Sequence, residues 1–319
     1  MPRAGLTRFA DLVGLDSVHS TLRDSVRRGQ AAQSLLLVGA EGVGKRSLAR
    51  AWVAWLCCQQ GHEVSDACGE CPACIQLAAG TYPDVLWIAP PPGKREISIE
   101  RARELKRFLA LAPPAGGARI AVVETAESLT TAAQNALLKT LEEPPPRTWL
   151  VLTTNAPDAL LPTVRSRCQR VAVPPLPPDL MREALLRHGL SPEEIGPLLP
   201  LAQGSVGRAL KLREIVSGEL ARTIAEFLGT IDRARYAAIA RFVEELNRDD
   251  GALEARLQIM IEVLRTQALE SWPERPGASR LALARAEALF RAWRTLREGY
   301  PNRSLLLESV LLEMAKAQP

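Results

Sequence analysis

The chain has 319 residues, enough for two or three domains with cores of their own. Hydrophobic residues make up 47% and charged residues 24%, as in ordinary globular proteins, and a net charge of +4 permits a nucleic-acid-facing surface without demanding one. No run approaches the roughly 18 apolar residues of a membrane span and the start of the chain has no apolar leader core, so no membrane partner and a cytoplasmic location are expected.

Apolar runs at Leu35–Val38, Val85–Ala89, Ile120–Val123 and Leu150–Thr153, and a shorter one at Arg170–Val173, predict strands. Helical patterns such as Ser98–Leu111 and Ala132–Glu142 lie between them. Strands alternating with helices predict an α/β domain with a parallel sheet buried on both faces. The segment Val173-Pro-Pro-Leu-Pro-Pro178 reads as a domain boundary. Short helices are expected next at Leu180–His188, Pro192–Ala202 and Ser205–Val216, broken at Gly189 and Gly204. From about residue 218 the pattern is helical through Leu220–Gly229, Ala234–Asn247, Leu253–Leu269, Arg280–Arg297 and Arg303–Lys316. The expected layout is an α/β domain, a small helical domain and a helical bundle.

Residues 39–46 read Gly-Ala-Glu-Gly-Val-Gly-Lys-Arg, a strand-to-helix turn of the form G-x-x-x-x-G-K. In that pattern the backbone N–H groups of the turn, with Gly39, Gly42 and Gly44, wrap phosphates. Lys45 reaches the outer phosphates, and a following Ser or Thr hydroxyl ligates Mg²⁺. Here Arg46 stands in the hydroxyl's place, and a guanidinium repels a cation. Ser47 lies about 100° further round the helix and does not replace it. A carboxylate pair is expected at the end of a second strand, one group for the metal and one as base. Ile120-Ala-Val-Val-Glu124-Thr125 supplies Glu124 for the metal side, but Thr125 has no basicity near neutral pH, so the strand reads as ending without a hydrolytic base. Arg46 pairing with Glu124 is one way to fill the pocket. Asn155, at the carboxyl end of the fourth strand, can reach a phosphate or its water.

Cys68-Gly-Glu-Cys71-Pro-Ala-Cys74 follows Cys57-Cys58. Two C-x-x-C steps sharing Cys71 give three thiolates on one loop, and an upstream cysteine completes a tetrahedral set, which suits structural Zn²⁺ better than a redox pair. Cys58 is preferred over Cys57 as the fourth ligand, though spacing does not separate them, and His62 is a lesser candidate.

Phe9-Ala-Asp-Leu-Val-Gly14, the cradle, the cysteine cluster, Asn135-Ala-Leu-Leu-Lys-Thr-Leu-Glu-Glu-Pro144 and Ser166-Arg167-Cys168 occur in the order found in bacterial clamp-loader subunits. The chain therefore resembles the gamma/tau and delta-prime subunits of the DNA polymerase III holoenzyme, in the AAA+ family, strongly over residues 9 to about 210. Asn302-Arg-Ser-Leu-Leu-Leu307 looks like a closing helix of the delta-prime type. The resemblance implies an AAA+ domain over residues 1–175 with a zinc module near 57–75, a helical lid over 176–217 and a helical collar over 218–319. It implies zinc ligands Cys58, Cys68, Cys71 and Cys74, and partners in a ring with gamma/tau motor subunits and a delta subunit, acting on the sliding clamp and primed DNA. Motor subunits of the family carry Thr after the cradle Lys, an Asp-Glu pair and a sensor Arg. Arg46, Glu124-Thr125 and Gly207, with Arg208 one residue off, depart from all three, so ATP and Mg²⁺ chemistry is in doubt here. From chemistry alone Arg167 is a solvated surface arginine. The resemblance makes it an arginine finger, serving ATP held by a neighbouring subunit. The alternatives are an active gamma-type ATPase with an unusual cradle and a non-enzymatic zinc-bearing DNA-binding adaptor.

Overall fold

Consecutive apolar residues in a strand must face opposite ways, and that alternation sets the architecture. The computed structural model describes residues 5–60, 64–112, 117–216, 219–247, 253–297 and 302–317. Its strands are β1 (Ser34–Val38), β2 (Val85–Ile88), β3 (Arg119–Val123), β4 (Thr148–Thr154) and β5 (Gln169–Ala172), all paired in parallel in the order β2-β3-β4-β1-β5. Helix α1 (Asp16–Arg27) precedes β1; the helices between the strands are α2 (Lys45–Cys57), α3 (Pro72–Ala79), α4 (Ile99–Ala110), α5 (Thr131–Glu142) and the single turn α6 (Pro162–Arg165), with α7 (Pro178–Arg187) after β5. Leu35, Leu37, Ile120, Val122 and Val151 pack on one face with Leu22 of α1 and Trp52 and Trp55 of α2. Leu36, Val38, Ala121, Val123, Leu150 and Leu152 pack on the other with Leu105 and Leu109 of α4 and Leu137 and Leu141 of α5. The parallel sheet buried on both faces is therefore as expected from sequence.

Local chemistry sets the helix ends. Thr130 caps α5 by accepting from the Ala133 N–H at 3.2 Å, and Pro144–Pro146 follow the helix where a proline cannot continue it. Three helices escaped the sequence reading, the single turn α6 among them. In α1 the apolar Val18, Leu22 and Val26 recur at a spacing of four, and α3 begins inside the cysteine loop with Pro72 at its first turn. Strand β5 starts one residue earlier than expected, and α7 runs Pro178–Arg187 rather than Leu180–His188.

The chain divides into two units, Met1–Gly189 with Gly204–Gly207, and Leu190–Gln203 with Arg208–Pro319. Helix α7 belongs to the first. The boundary expected at 217–218 lies outside the described residues. The second unit is helical: α8 (Pro192–Ala202), α9 (Val206–Val216) from Arg208 onward, α10 (Glu219–Thr230), α11 (Tyr236–Leu246), α12 (Leu253–Ser271), α13 (Pro276–Arg297) and α14 (Arg303–Lys316). Helix α13 starts before the Arg280 expected from sequence. Within this unit the buried Arg285 of α13 donates to the carboxylate of Asp232 and, at 3.1 Å, to the Met314 carbonyl of α14. A buried guanidinium is tolerated when paired in this way.

Leu137 is 1% exposed and Leu111 is 58% exposed. Replacing Leu137 by Ala is expected to cost about 2–5 kcal/mol, and Leu111→Ala no more than about 0.5 kcal/mol. Denaturant midpoints read by tryptophan fluorescence check both.

Candidate nucleotide cradle and cysteine metal centre

Parallel strands present their carboxyl ends at one edge, so the loops after β1, β3 and β4 are neighbours, with β4 between the other two. The loop after β1 is the cradle. Gly42 and Gly44 take φ of 74° and 101°, a left-handed conformation that glycine adopts without strain, and Lys45 opens α2. The carbonyls of this loop are engaged one after another. Lys45 Nζ donates to Gly39 O at 2.8 Å and to Ala40 O at 2.7 Å. Ser205 Oγ donates to Glu41 O at 2.7 Å, and the Gly207 N–H donates to Gly42 O at 2.9 Å. Burial holds the Lys45 amine below its usual pKa, against the opposing charges of Glu127 and Glu41.

Gly207 meets the loop because it has no side chain: a Cβ there would sit 2.8 Å from Gly42 Cα. A sensor arginine at this position would displace the cradle. Ser205 escaped the sequence reading; its signal was the Gly204-Ser-Val-Gly207 string, whose role as a tie to the cradle needs the fold to appear.

On the β3 side, Arg46 Nε donates to Glu124 Oε1 at 2.8 Å, the pairing anticipated from sequence. The Glu124 side chain is 15% exposed and that of Arg46 61%. Burial raises the Glu124 pKa, and the charges of Arg46 and Arg50 pull it back. Thr125 adopts φ 52°, an outlier for a β-branched residue, and its hydroxyl donates to the Glu124 carbonyl at 2.6 Å. Asn155 is exposed beyond β4, with its N–H directed at Glu127 Oε1 at 3.5 Å. A guanidinium in the hydroxyl's place, already on the nearby carboxylate, is a donor set that does not suit a divalent cation.

The sulfurs of Cys58, Cys68, Cys71 and Cys74 all lie within 4.8 Å of one another. A tetrahedral metal with bonds of about 2.3 Å to sulfur needs edges of about 3.8 Å, so small side-chain shifts close the set. Cys58 follows the last residue of α2, Cys71 precedes α3 and Cys74 lies in the first turn of α3. Burial opposes ionisation of Cys71, but N–H groups of Gln59 and Cys74 and the thiols of Cys74 and Cys68 outweigh it and bring its pKa to about 7. Burial pushes the Cys58 and Cys74 thiols up. Cys57 stands outside the cluster, buried in the core beside α2, its thiol against Tyr82 and pushed up to about 12 by burial. His62 lies outside the described residues.

Arg167 is far from both centres in sequence and sits after α6. Its Nε donates to Glu142 Oε2 at 3.0 Å and a terminal nitrogen donates to Thr163 O at 3.1 Å, with the side chain 32% exposed. Glu142 was visible in the Asn135–Pro144 string but not as this partner.

A family model described as "DNA polymerase III, delta subunit" matches residues 14–177. The chain is 44% identical over 147 residues to DNA polymerase III subunit delta′ of Pseudomonas aeruginosa, covering 46% of this chain and 44% of that protein. It is 37% identical over 207 residues to the delta′ subunit of Escherichia coli, covering 64% and 61%, and 30% identical over 251 residues to subunit tau of Escherichia coli, covering 75% and 38%. The matches thus span about half of the length of the delta′ relatives. With the family model covering just over half of the chain and curated relatives named delta′ on one side and tau on the other, the chain belongs to the DNA polymerase III delta′ family, related to gamma/tau.

Proposed function

We propose that this chain is the stator of a bacterial clamp loader, a delta-prime subunit without ATPase activity of its own. It assembles in the cytoplasm with gamma/tau motor subunits and a delta subunit into a ring that loads the sliding clamp onto primed DNA. On this reading residues 1–175 form the AAA+ domain, 176–217 the lid and 218–319 the collar that joins the ring. The observation that carries the reading is the Arg46–Glu124 pair at 2.8 Å. It puts a cation and its counter-charge where a motor would hold Mg²⁺. The Thr125 hydroxyl offers no base, and Gly207 leaves no room for a sensor side chain.

Arg167 is the residue that works in trans on this reading. Its partner Glu142 is exposed, and an ion pair at the surface is worth about 0–1 kcal/mol, so the guanidinium can leave it for a neighbour's γ-phosphate at little cost. The four clustered cysteines hold structural zinc, which ties the end of α2, the loop after it and α3 together. Among the described residues no helix is long and apolar enough to cross a membrane.

The isolated chain is expected to release no phosphate from ATP above a Lys45→Ala control, and Arg46→Thr alone does not restore turnover because the base and the sensor stay missing. Hydrolysis that Lys45→Ala abolishes would overturn the stator reading. In a ring reconstituted with motor subunits and clamp, Arg167→Ala is expected to slow the site it completes by on the order of 10³-fold while assembly persists. This appears as a partial loss of clamp-stimulated turnover, and unchanged turnover removes the finger. Metal analysis is expected to give about one zinc per chain, lost in Cys71→Ser but kept in Cys57→Ser.

A further inference from the structure

The loop between Cys58 and Cys68 does more than close the cysteine cluster. Asp66 Oδ1 accepts from the Phe9 N–H at 3.0 Å and Asp66 Oδ2 from the Ala10 N–H at 2.9 Å, while Oδ1 also caps its own loop at the Ala67 N–H, 2.8 Å away. One carboxylate thus fixes two consecutive amides that lie more than fifty residues upstream. Leu6 packs on the cysteine cluster beside Ala54 and Ala67. The same loop accepts through its carbonyls from α1 and α2. Arg23 donates to Ser65 O, and Val64 O receives Arg27 at 3.3 Å and Trp55 Nε1 at 3.0 Å.

The segment held in this way borders the cradle. Phe9 is 3% exposed, stacks on His19 of α1 at 4.8 Å between centroids and leans on Trp55 of α2 at 6.4 Å. Arg187 of α7 donates to Ala10 O at 3.4 Å. Five residues on, Leu15 is buried, and its Cδ1 lies 3.7 Å from where a Cβ on Gly44, the residue that precedes α2 in the cradle, would sit. No regular secondary structure holds Asp66 in place: residues 64–68 have neither helix nor strand. On its far side the loop is tied through sulfur, with the Cys68 N–H donating to Cys58 Sγ at 3.5 Å and the Cys71 N–H to Cys68 Sγ at 3.4 Å.

We infer that the cysteine module is the anchor of the segment from Arg8 to Leu12, and that metal at Cys58, Cys68, Cys71 and Cys74 orders that segment through Asp66. The inference rests on the reading that these cysteines hold a metal. Metal binding by an irregular loop carries free energy that is also folding free energy for whatever the loop holds, here two amides and the aromatic stack behind them. Asp66 is a positioning residue, since it touches the segment and not the metal.

Hydrogen exchange on the full chain, with zinc measured in each sample, tests this. Amides of residues 9–12 are expected to exchange about ten-fold faster or more in chelator-stripped wild-type protein than in the zinc-loaded form. Zinc-loaded Asp66→Ala is expected to show the same acceleration with zinc content unchanged and with β3 as protected as in wild type. Asp66→Asn, which retains one acceptor, falls between and serves if the alanine variant loses β3 protection. Wild-type protection of residues 9–12 in zinc-loaded Asp66→Ala overturns the role of Asp66, and wild-type protection in the stripped chain overturns the dependence on metal. A wild-type chain that takes up no zinc overturns the metal reading itself, and the inference with it.

Discussion

A parallel sheet buried on both faces leaves its strand ends as the place where polar groups can meet, and here three of those ends converge. The order β2-β3-β4-β1-β5 sets the cradle after β1 and Glu124 after β3 on either side of β4. Whatever stands at position 46, in the first turn of α2, therefore faces the carboxylate that ends β3. With a hydroxyl there, the gap between them is a cation site. With a guanidinium there, the charges satisfy each other at 2.8 Å.

Energetics favour keeping that pair once it exists. Glu124 is largely buried, and a buried carboxylate without a counter-charge costs several kcal/mol, whereas the exposed guanidinium of Arg46 keeps most of its hydration and loses little by desolvation. A cation at the start of a helix opposes the helix dipole, and Glu124 offsets that as well. The carbonyl side of the loop is held from within the chain: four consecutive carbonyls, Gly39 to Gly42, each accept a hydrogen bond. At about 1 kcal/mol net for each such bond, the loop conformation is held in advance of any ligand.

The pieces of this centre that were legible in the sequence are those whose meaning is local. The alternation of Leu35–Val38 and Ile120–Val123 gave both faces of the sheet, and Arg46 and Thr125 stood out because a spacing rule assigns their positions a different chemistry. The choice of Cys58 over Cys57 was not legible from spacing. It depends on where α2 ends: Cys57 is its last residue and turns into the core toward Tyr82, while Cys58, one residue later in extended conformation, turns to the cluster. Asp66 and Ser205 were not legible at all. A common polar residue bonding to backbone more than fifty or a hundred positions away leaves no mark on periodicity, spacing or composition. Glu142 lies in the Asn135–Pro144 string, but its pairing with Arg167 needs α5 and α6 side by side.

The two arginines then differ in a way that bears on the proposed division of labour. Arg46 answers a carboxylate whose burial makes a counter-charge necessary, so moving Arg46 would leave Glu124 to the charge of Arg50. Arg167 answers Glu142, which has solvent as an alternative partner and loses little when the guanidinium swings away. A charge that must serve a ligand from outside the chain needs the second kind of partner: one that holds the side chain near its working position yet competes weakly with a phosphate. On the proposed reading, the first kind of partner suits a pocket that does not run the chemistry itself. A paired arginine in the cradle and a second arginine held at the surface by an exposed carboxylate are the distribution that this proposal requires of a subunit whose chemistry is completed elsewhere.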